Sequence, residues 1–195
     1  MSGNVAGVLL AAGSGSRLGQ PKALVVLAGQ TLAARGVALL RAGGADPVVV
    51  VTGAAELPDR SVEALCVHNP DWPTGMGSSL AIGLAHVPAD CAAAVVALAD
   101  QPLVGPESVR RLIAAHQAGA RVVVACYEGQ PRNPVLISRE HWPEVIALAA
   151  GDVGARPFLR AHPDLVRRVE CADTGRPDDI DSPEDLARVE ELLAT

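Results

Sequence analysis

The sequence predicts an α/β fold: a three-layer α/β/α, Rossmann-like arrangement around a mainly parallel, mixed sheet. Two observations point there. Short apolar runs alternate with helix-like segments along the chain, which is the pattern of successive βαβ units. The 49% hydrophobic content is mostly Ala, Val and Leu with only 2% aromatic residues, which suits a β-branched sheet covered by Ala/Leu helices. At 195 residues the chain can bury one substantial core, and no repeat, low-complexity stretch or interdomain linker divides it, so residues 1–195 are expected to form one domain.

The elements follow in order. VAGVLLA reads as the first strand and TLAARGVALLRAG as the first helix, with Leu32, Gly36, Leu39 and Leu40 on one face. PVVVVTG is a second strand. AAAVVALAD is a third, followed by the helix GPESVRRLIAAHQAG, whose Val109, Leu112, Ile113 and His116 share a face. RVVVACY, the short PVLIS and LVRRVEC complete the strands. Near the end, Ser182 offers an N-cap, Pro183 a first-turn proline and Asp185 an acidic third position for a helix carrying Leu186, Val189, Leu192 and Leu193. The Gly/Pro-rich stretch from Asn69 to Gly77 reads as a functional loop.

Charge and composition remove several classes. Sixteen Lys and Arg against twenty-two Asp and Glu give −6, opposite to the footprint of a nucleic-acid binder, so an anionic ligand needs a local basic site. Few aromatics argue against stacking platforms for single strands. No apolar run reaches the roughly 18 residues of a membrane span, and MSGNVAG lacks the basic and apolar regions of a signal peptide, so a cytoplasmic protein is expected. Cys66, Cys91, Cys126 and Cys171 stand singly, three of them in or beside apolar runs, and read as buried thiols. His68, His86, His116, His141 and His162 form no zinc-type cluster, so any metal should be hard and oxygen-bound.

After the first strand comes a glycine-rich turn, from Gly13 through Ser14, Gly15, Ser16, Arg17 and Gly19 to Lys22. Glycines let backbone N–H groups approach phosphate oxygens, while Arg17 can fork onto two of them and Lys22 can act as a mobile point charge. The spacing is neither a Walker loop nor a dinucleotide fingerprint, since the glycines read GxGxxxG and no acidic residue follows about 20 positions later. A tight turn carrying two solvated cations is the plainer reading. A second candidate lies where AAAVVALAD ends at Asp100, followed by Gln101 and Pro102, because carboxyl ends of strands face the ligand crevice. An Asx turn is equally consistent. If residues 178–181 are extended, Asp179 and Asp181 share a face opposite Ile180 and can meet Asp100 across Mg²⁺. Helix capping is the alternative there. The segment from Asn69 to Leu80 passes from loop into helix, and the helix start, with Gly77, Ser78 and Ser79, offers free N–H groups and two hydroxyls.

The first segment, Leu10, Ala11, Ala12 and Gly13 followed by GxRxG and Pro21-Lys22, resembles the signature of the nucleotidyltransferases that activate sugars and cofactors. Its LAAG form resembles the molybdopterin cytidylyltransferase branch, whereas LAGG is typical of the guanylyltransferase relative. The string NPDWPTGMGSSL, the ADQP and DIDSPEDL segments and GDVGAR are similar to that branch too, so the resemblance runs from residue 5 to about residue 190. Arg132-Asn133-Pro134-Val135 departs from it, standing where the group often has a GHPV-like string.

The resemblance implies a nucleotide-diphospho-sugar transferase type of fold and transfer of CMP from CTP to the phosphate of molybdopterin, with release of pyrophosphate. It implies nucleotide contacts from residues 10–17, Gly19, Lys22, Gly77, Ser78, Ser79 and Asp100, with Arg17, Lys22 and Asp100 taking part in transfer. Mg²⁺ would sit on Asp100 and Asp181, and Gln101, Asn133, Pro134 and Arg156 would face the acceptor. A molybdenum hydroxylase is the implied client. Transfer from GTP or to another phosphorylated acceptor, and a non-catalytic cofactor-handling module, are the rival readings.

Overall fold

The computed structural model describes residues 3–57 and 62–194, within which every candidate site residue falls. Its centre is a seven-stranded sheet built from β1 (Asn4–Ala11), β4 (Val48–Thr52), β5 (Leu65–His68), β6 (Cys91–Leu98), β7 (Val122–Tyr127), β8 (Gln130–Ser138) and β9 (Val166–Glu170). The order is β5-β4-β1-β6-β8-β7-β9, with β8 running antiparallel to both its neighbours and the other pairs parallel. The mainly parallel, mixed α/β sheet expected from the sequence is therefore present. A small hairpin of β2 (Val26–Leu27) and β3 (Gln30–Thr31) stands apart from it.

Period-two alternation divides the core into two layers. Along β1, Val5, Leu9 and Ala11 join one cluster, while Ala6, Val8 and Leu10 join the other. The first face is covered by α1 (Leu32–Ala42) through Ala33, Val37 and Leu40 and by α3 (Pro106–Gln117) through Val109, Leu112 and Ile113. The second is covered by α2 (Met76–Ala85) through Leu80 and Leu84, by α4 (Trp142–Leu148) through Trp142 and Val145, and by α5 (Arg156–Ala161) through Phe158. This is the α/β/α sandwich. In α1 the buried stripe is Leu32, Ala33, Gly36, Val37 and Leu40, with Leu39 only partly buried beside it.

α6 (Pro183–Leu193) opens as its sequence indicates. The Ser182 hydroxyl accepts the Asp185 N–H and the Asp185 carboxylate accepts the Ser182 N–H, closing a capping box. Its buried contact is Val189, which joins Val25, Leu27, Leu32 and Ile180 in a third cluster. Leu192 and Leu193, in the final turn beyond Val189, are exposed and lie outside this cluster. The cysteine expectation also needs correction. Cys91, Cys126 and Cys171 are buried, whereas Cys66 is exposed on β5, an edge strand paired on one side only. Among the described residues no helix is long and apolar enough to cross a membrane.

Candidate active site

The sheet order reverses at β1: β4 lies on one side and β6 on the other, so the crevice opens at the carboxyl ends of β1 and β6. A cleft of about 580 Å³ occupies it. The turn after β1 forms its rim, tied by Leu18 N–H to Gly15 C=O at 2.8 Å and Lys22 N–H to Gly13 C=O at 3.3 Å. Gly15 has φ +59°, and any side chain there would run into the Gln20 carbonyl, so this tight turn requires glycine. The turn delivers Lys22 to the start of a short 3₁₀ segment, Lys22–Leu24, beside the end of β6.

Asp100 lies two residues past β6. Its carbonyl accepts the Ile180 N–H at 2.8 Å, which fastens the 178–181 segment alongside it. Ile180 is fully buried in the third apolar cluster, so Asp179 and Asp181 both turn to the cleft. Asp185 also accepts the Asp181 N–H at 3.1 Å, and one carboxylate thereby caps α6 and holds the candidate ligand's backbone.

Lys22 Nζ donates to Asp100 Oδ2 at 2.6 Å and to Asp181 Oδ1, and Arg17 lies 3.4 Å from the other Asp181 oxygen. The Lys22 and Asp100 side chains are only 18% and 20% exposed, so solvent screens this pair weakly. Burial pulls the Lys22 ammonium down, but the charge and hydrogen bond of Asp100 and those of Asp181 outweigh it, and its pKa is raised. Burial also raises the Asp179 pKa; the Gln101 amide, donating at 2.9 Å, works against this, while the Asp100 and Asp181 charges add to it.

Leu10, Leu98, Trp72, Pro73 and Met76 add apolar surface to the lining, interrupted by Ser79, Asp152 and Arg156. Trp72 stands over Gly53 next to Ala12, where a side chain on Gly53 would collide with it. Asp152 accepts the Met76 N–H at 3.2 Å and so occupies the start of α2. A flat ring against Trp72 and a polyanion at the glycine turn would match this division.

The candidate residues separate on this frame. Leu10 through Arg17, Lys22, Ser79, Asp100, Asp179, Asp181 and Arg156 line the cleft. Gly19, Gly77 and Ser78 do not. Gly77 is pressed against the Ala149 carbonyl, and the Ser78 hydroxyl is occupied by Asn69 and the Gly75 and Asp71 carbonyls. Gln101 is buried behind Asp179, and Asn133 and Pro134 lie in β8 outside the cleft, while Arg132 lines a shallow neighbouring pocket with Asp178, Asp185 and Arg188. Sequence reasoning missed Asp152 and Trp72 as lining residues and Asn69 as a support, although all three stand in strings already singled out, NPDWPTGMGSSL and GDVGAR.

The described residues contain no group of three or more His, Cys, Asp or Glu placed to hold a metal. A hard cation here would rest on the pair Asp100 and Asp181. That pair fits one: two carboxylates from separate segments already converge on a single cationic centre, the Lys22 ammonium.

A family model described as the MobA-like NTP transferase domain matches residues 7–166. The chain belongs to the MobA-like NTP transferase family. A nicotine blue oxidoreductase from Paenarthrobacter nicotinovorans is 38% identical, with 95% of this chain and 96% of that protein aligned. A probable molybdenum cofactor guanylyltransferase from Opitutus terrae is 46% identical over 63 residues, 32% of this chain and 31% of that protein. The structure of Rv0371c from Mycobacterium tuberculosis H37Rv superposes with a TM-score of 0.80 at 27% identity, over 98% of this chain and 100% of that one. Its manganese complex gives 0.77 at the same identity, over 96% of this chain and 98% of that one. As a MobA-like transferase the chain is a nucleotidyltransferase, and its α/β sheet is that of its structural neighbours.

Proposed function

We propose that this MobA-like enzyme transfers CMP from CTP to the terminal phosphate of molybdopterin, releasing pyrophosphate. The observation that carries the reading is the arrangement of Lys22 and Arg17 against Asp100 and Asp181 at the glycine-turn end of the cleft, with Trp72, Pro73 and Met76 also lining it. The acceptor phosphate oxygen forms a bond to the α-phosphorus as the α–β bridging bond breaks, and the pair of electrons leaves with pyrophosphate. An acceptor phosphate is already ionised near neutral pH, so no general base is needed and positioning with electrostatics supplies the rate. The glycine turn and Arg17 bind the β- and γ-phosphates, Lys22 neutralises the charge that develops on the leaving group, and Arg156 faces the acceptor. Mg²⁺, which Asp100 and Asp181 would hold, would supply charge neutralisation and polarise the α-phosphorus. That the Rv0371c protein forms a complex with manganese supports a divalent cation for this enzyme too.

CTP is favoured by the LAAG form of the turn; the similarity to a guanylyltransferase keeps GTP as the competing nucleotide. Oxidoreductase chemistry is a second reading, because a relative aligned over nearly the whole chain bears that name. The glycine spacing is not that of a dinucleotide site, and the carboxylate and cation cluster has an evident use in phosphoryl chemistry, which places nucleotidyl transfer first. The deciding experiment measures pyrophosphate release with Mg²⁺ and molybdenum-loaded molybdopterin for CTP, GTP, ATP and UTP. A parallel sample follows oxidation of a reduced nicotinamide cofactor with nicotine blue. Acceptor-dependent release with CTP supports the reading, release with GTP moves it to the guanylyl branch, and cofactor oxidation without release overturns it.

A further inference from the structure

Asn69 is fully buried at the end of β5, yet it is a polar side chain with every hydrogen-bonding group in use. Its backbone N–H extends the ladder onto the Thr52 carbonyl at 2.8 Å. Its side-chain oxygen accepts the Asp71 N–H at 2.9 Å, and its amide nitrogen donates to Ser78 Oγ at 2.9 Å and Ser79 Oγ at 3.0 Å. The orientation of this amide is unambiguous. A backbone N–H can only donate, so the oxygen must face Asp71 and the NH₂ must face the serines.

That fixes the polarity of both hydroxyls. Each serine oxygen accepts from Asn69 and must send its own proton elsewhere. Ser78 sends it to the Gly75 carbonyl at 2.9 Å. Ser79 has no acceptor among the described residues, is only 3% exposed, and lines the cleft on the side of Trp72, Pro73 and Met76. We infer that Asn69 is a positioning residue for nucleotide selection: it makes Ser79 an obligate hydrogen-bond donor aimed into the cleft that Trp72, Pro73 and Met76 also line, where it reads a carbonyl or ring-nitrogen acceptor on the base. This rests on the nucleotidyltransferase reading of the cleft, and it names a selecting group outside the glycine turn. A base edge presenting an amino group at that point is disfavoured, because two donors then face each other and neither finds an acceptor.

Asn69→Asp reverses the polarity at constant shape. The carboxylate still accepts the Asp71 N–H, but its second oxygen now takes the Ser79 proton and withdraws it from the cleft. Equilibrium binding of CTP and of GTP is measured with Mg²⁺ and no acceptor, on wild type, N69D, S79A and the double variant, with circular dichroism to verify folding. The preferred nucleotide is expected to bind roughly tenfold more weakly to N69D and to S79A, as for one lost hydrogen bond with a desolvated partner. The double variant should be no weaker than S79A, since Asn69 acts only through that hydroxyl. In turnover the loss appears in KM for the nucleotide and not in kcat, because the charged end is untouched. Should the buried carboxylate prevent folding, Asn69→Ala replaces it in the same cycle, where a freely rotating Ser79 hydroxyl gives a smaller loss that also vanishes in the S79A background. Unchanged affinity in folded Asn69 variants, or losses that multiply in the double variant, overturns the inference alone. Failure of wild type to bind any nucleotide overturns the functional reading together with it.

Discussion

Replacing Lys22 with Met removes the ammonium while keeping most of the stem, and the structure lets its two consequences be separated. At 2.6 Å and an effective dielectric near 20 the gross attraction between Lys22 and Asp100 is about 6 kcal/mol, most of it offset by the cost of taking both charges from water. Orphaning one partner of a fully buried pair costs about 3–5 kcal/mol; with both side chains about a fifth exposed, water reaches the abandoned carboxylates, and a loss of about 1–3 kcal/mol is expected. Turnover should fall much further, by about 10²–10³ in kcat, the usual effect of deleting one preorganised group that meets developing charge. The assay pairs urea denaturation with pyrophosphate release at a temperature where both proteins are folded. The raised Lys22 pKa gives the stability component a sign. A base whose folded pKa exceeds its ordinary 10.5 stabilises fully below that value and loses the contribution as pH rises through the folded value. The wild type should therefore weaken above pH 10.5 by a component that K22M lacks. Turnover within about threefold of wild type in folded K22M would refute the role given to this cation.

Three further outcomes follow from the packing around the site. Ile180→Ala should cost about 2–4 kcal/mol in denaturation, because Ile180 is fully buried, and should also lower turnover of the folded protein, since the same side chain turns Asp179 and Asp181 into the cleft; stability loss with unchanged turnover would separate the two. Ser182→Ala removes the side-chain half of the α6 capping box, and about 1 kcal/mol is expected by thermal melting. Glu170 accepts N–H bonds from Gly129, Ala172, Glu128 and Cys171, which hold its carboxyl below the ordinary 4.5, so its stabilisation is present above that pH and is lost as pH falls through the lower folded value. Glu170→Gln should destabilise near neutrality and flatten the acid limb of a stability–pH curve; an unchanged limb would show that the carboxylate does not pin the β7–β8 turn to β9.

The sequence by itself determined the layered α/β sheet, because hydrophobic periodicity and helix-cap chemistry are local: alternation in β1 and the Ser182-Pro183-Asp185 opening of α6 are written within a few neighbouring residues. The glycine turn with Arg17 and Lys22 was legible for the same reason, as was the shared face of Asp179 and Asp181, which needs only an extended backbone and an apolar Ile180. The edge position of β5, which exposes Cys66, was not, since pairing partners are settled between segments distant in the chain. The tertiary fold alone decided that Lys22 meets Asp100 and Asp181 across 78 and 159 residues, and that Ser79 lines the cleft while Ser78 and Gly77 do not. Charge and hydroxyl chemistry can be read from composition, but their direction is set by what each group packs against. In Asn69 that direction comes from one backbone N–H, whose donor character fixes the amide and, through it, the proton of Ser79.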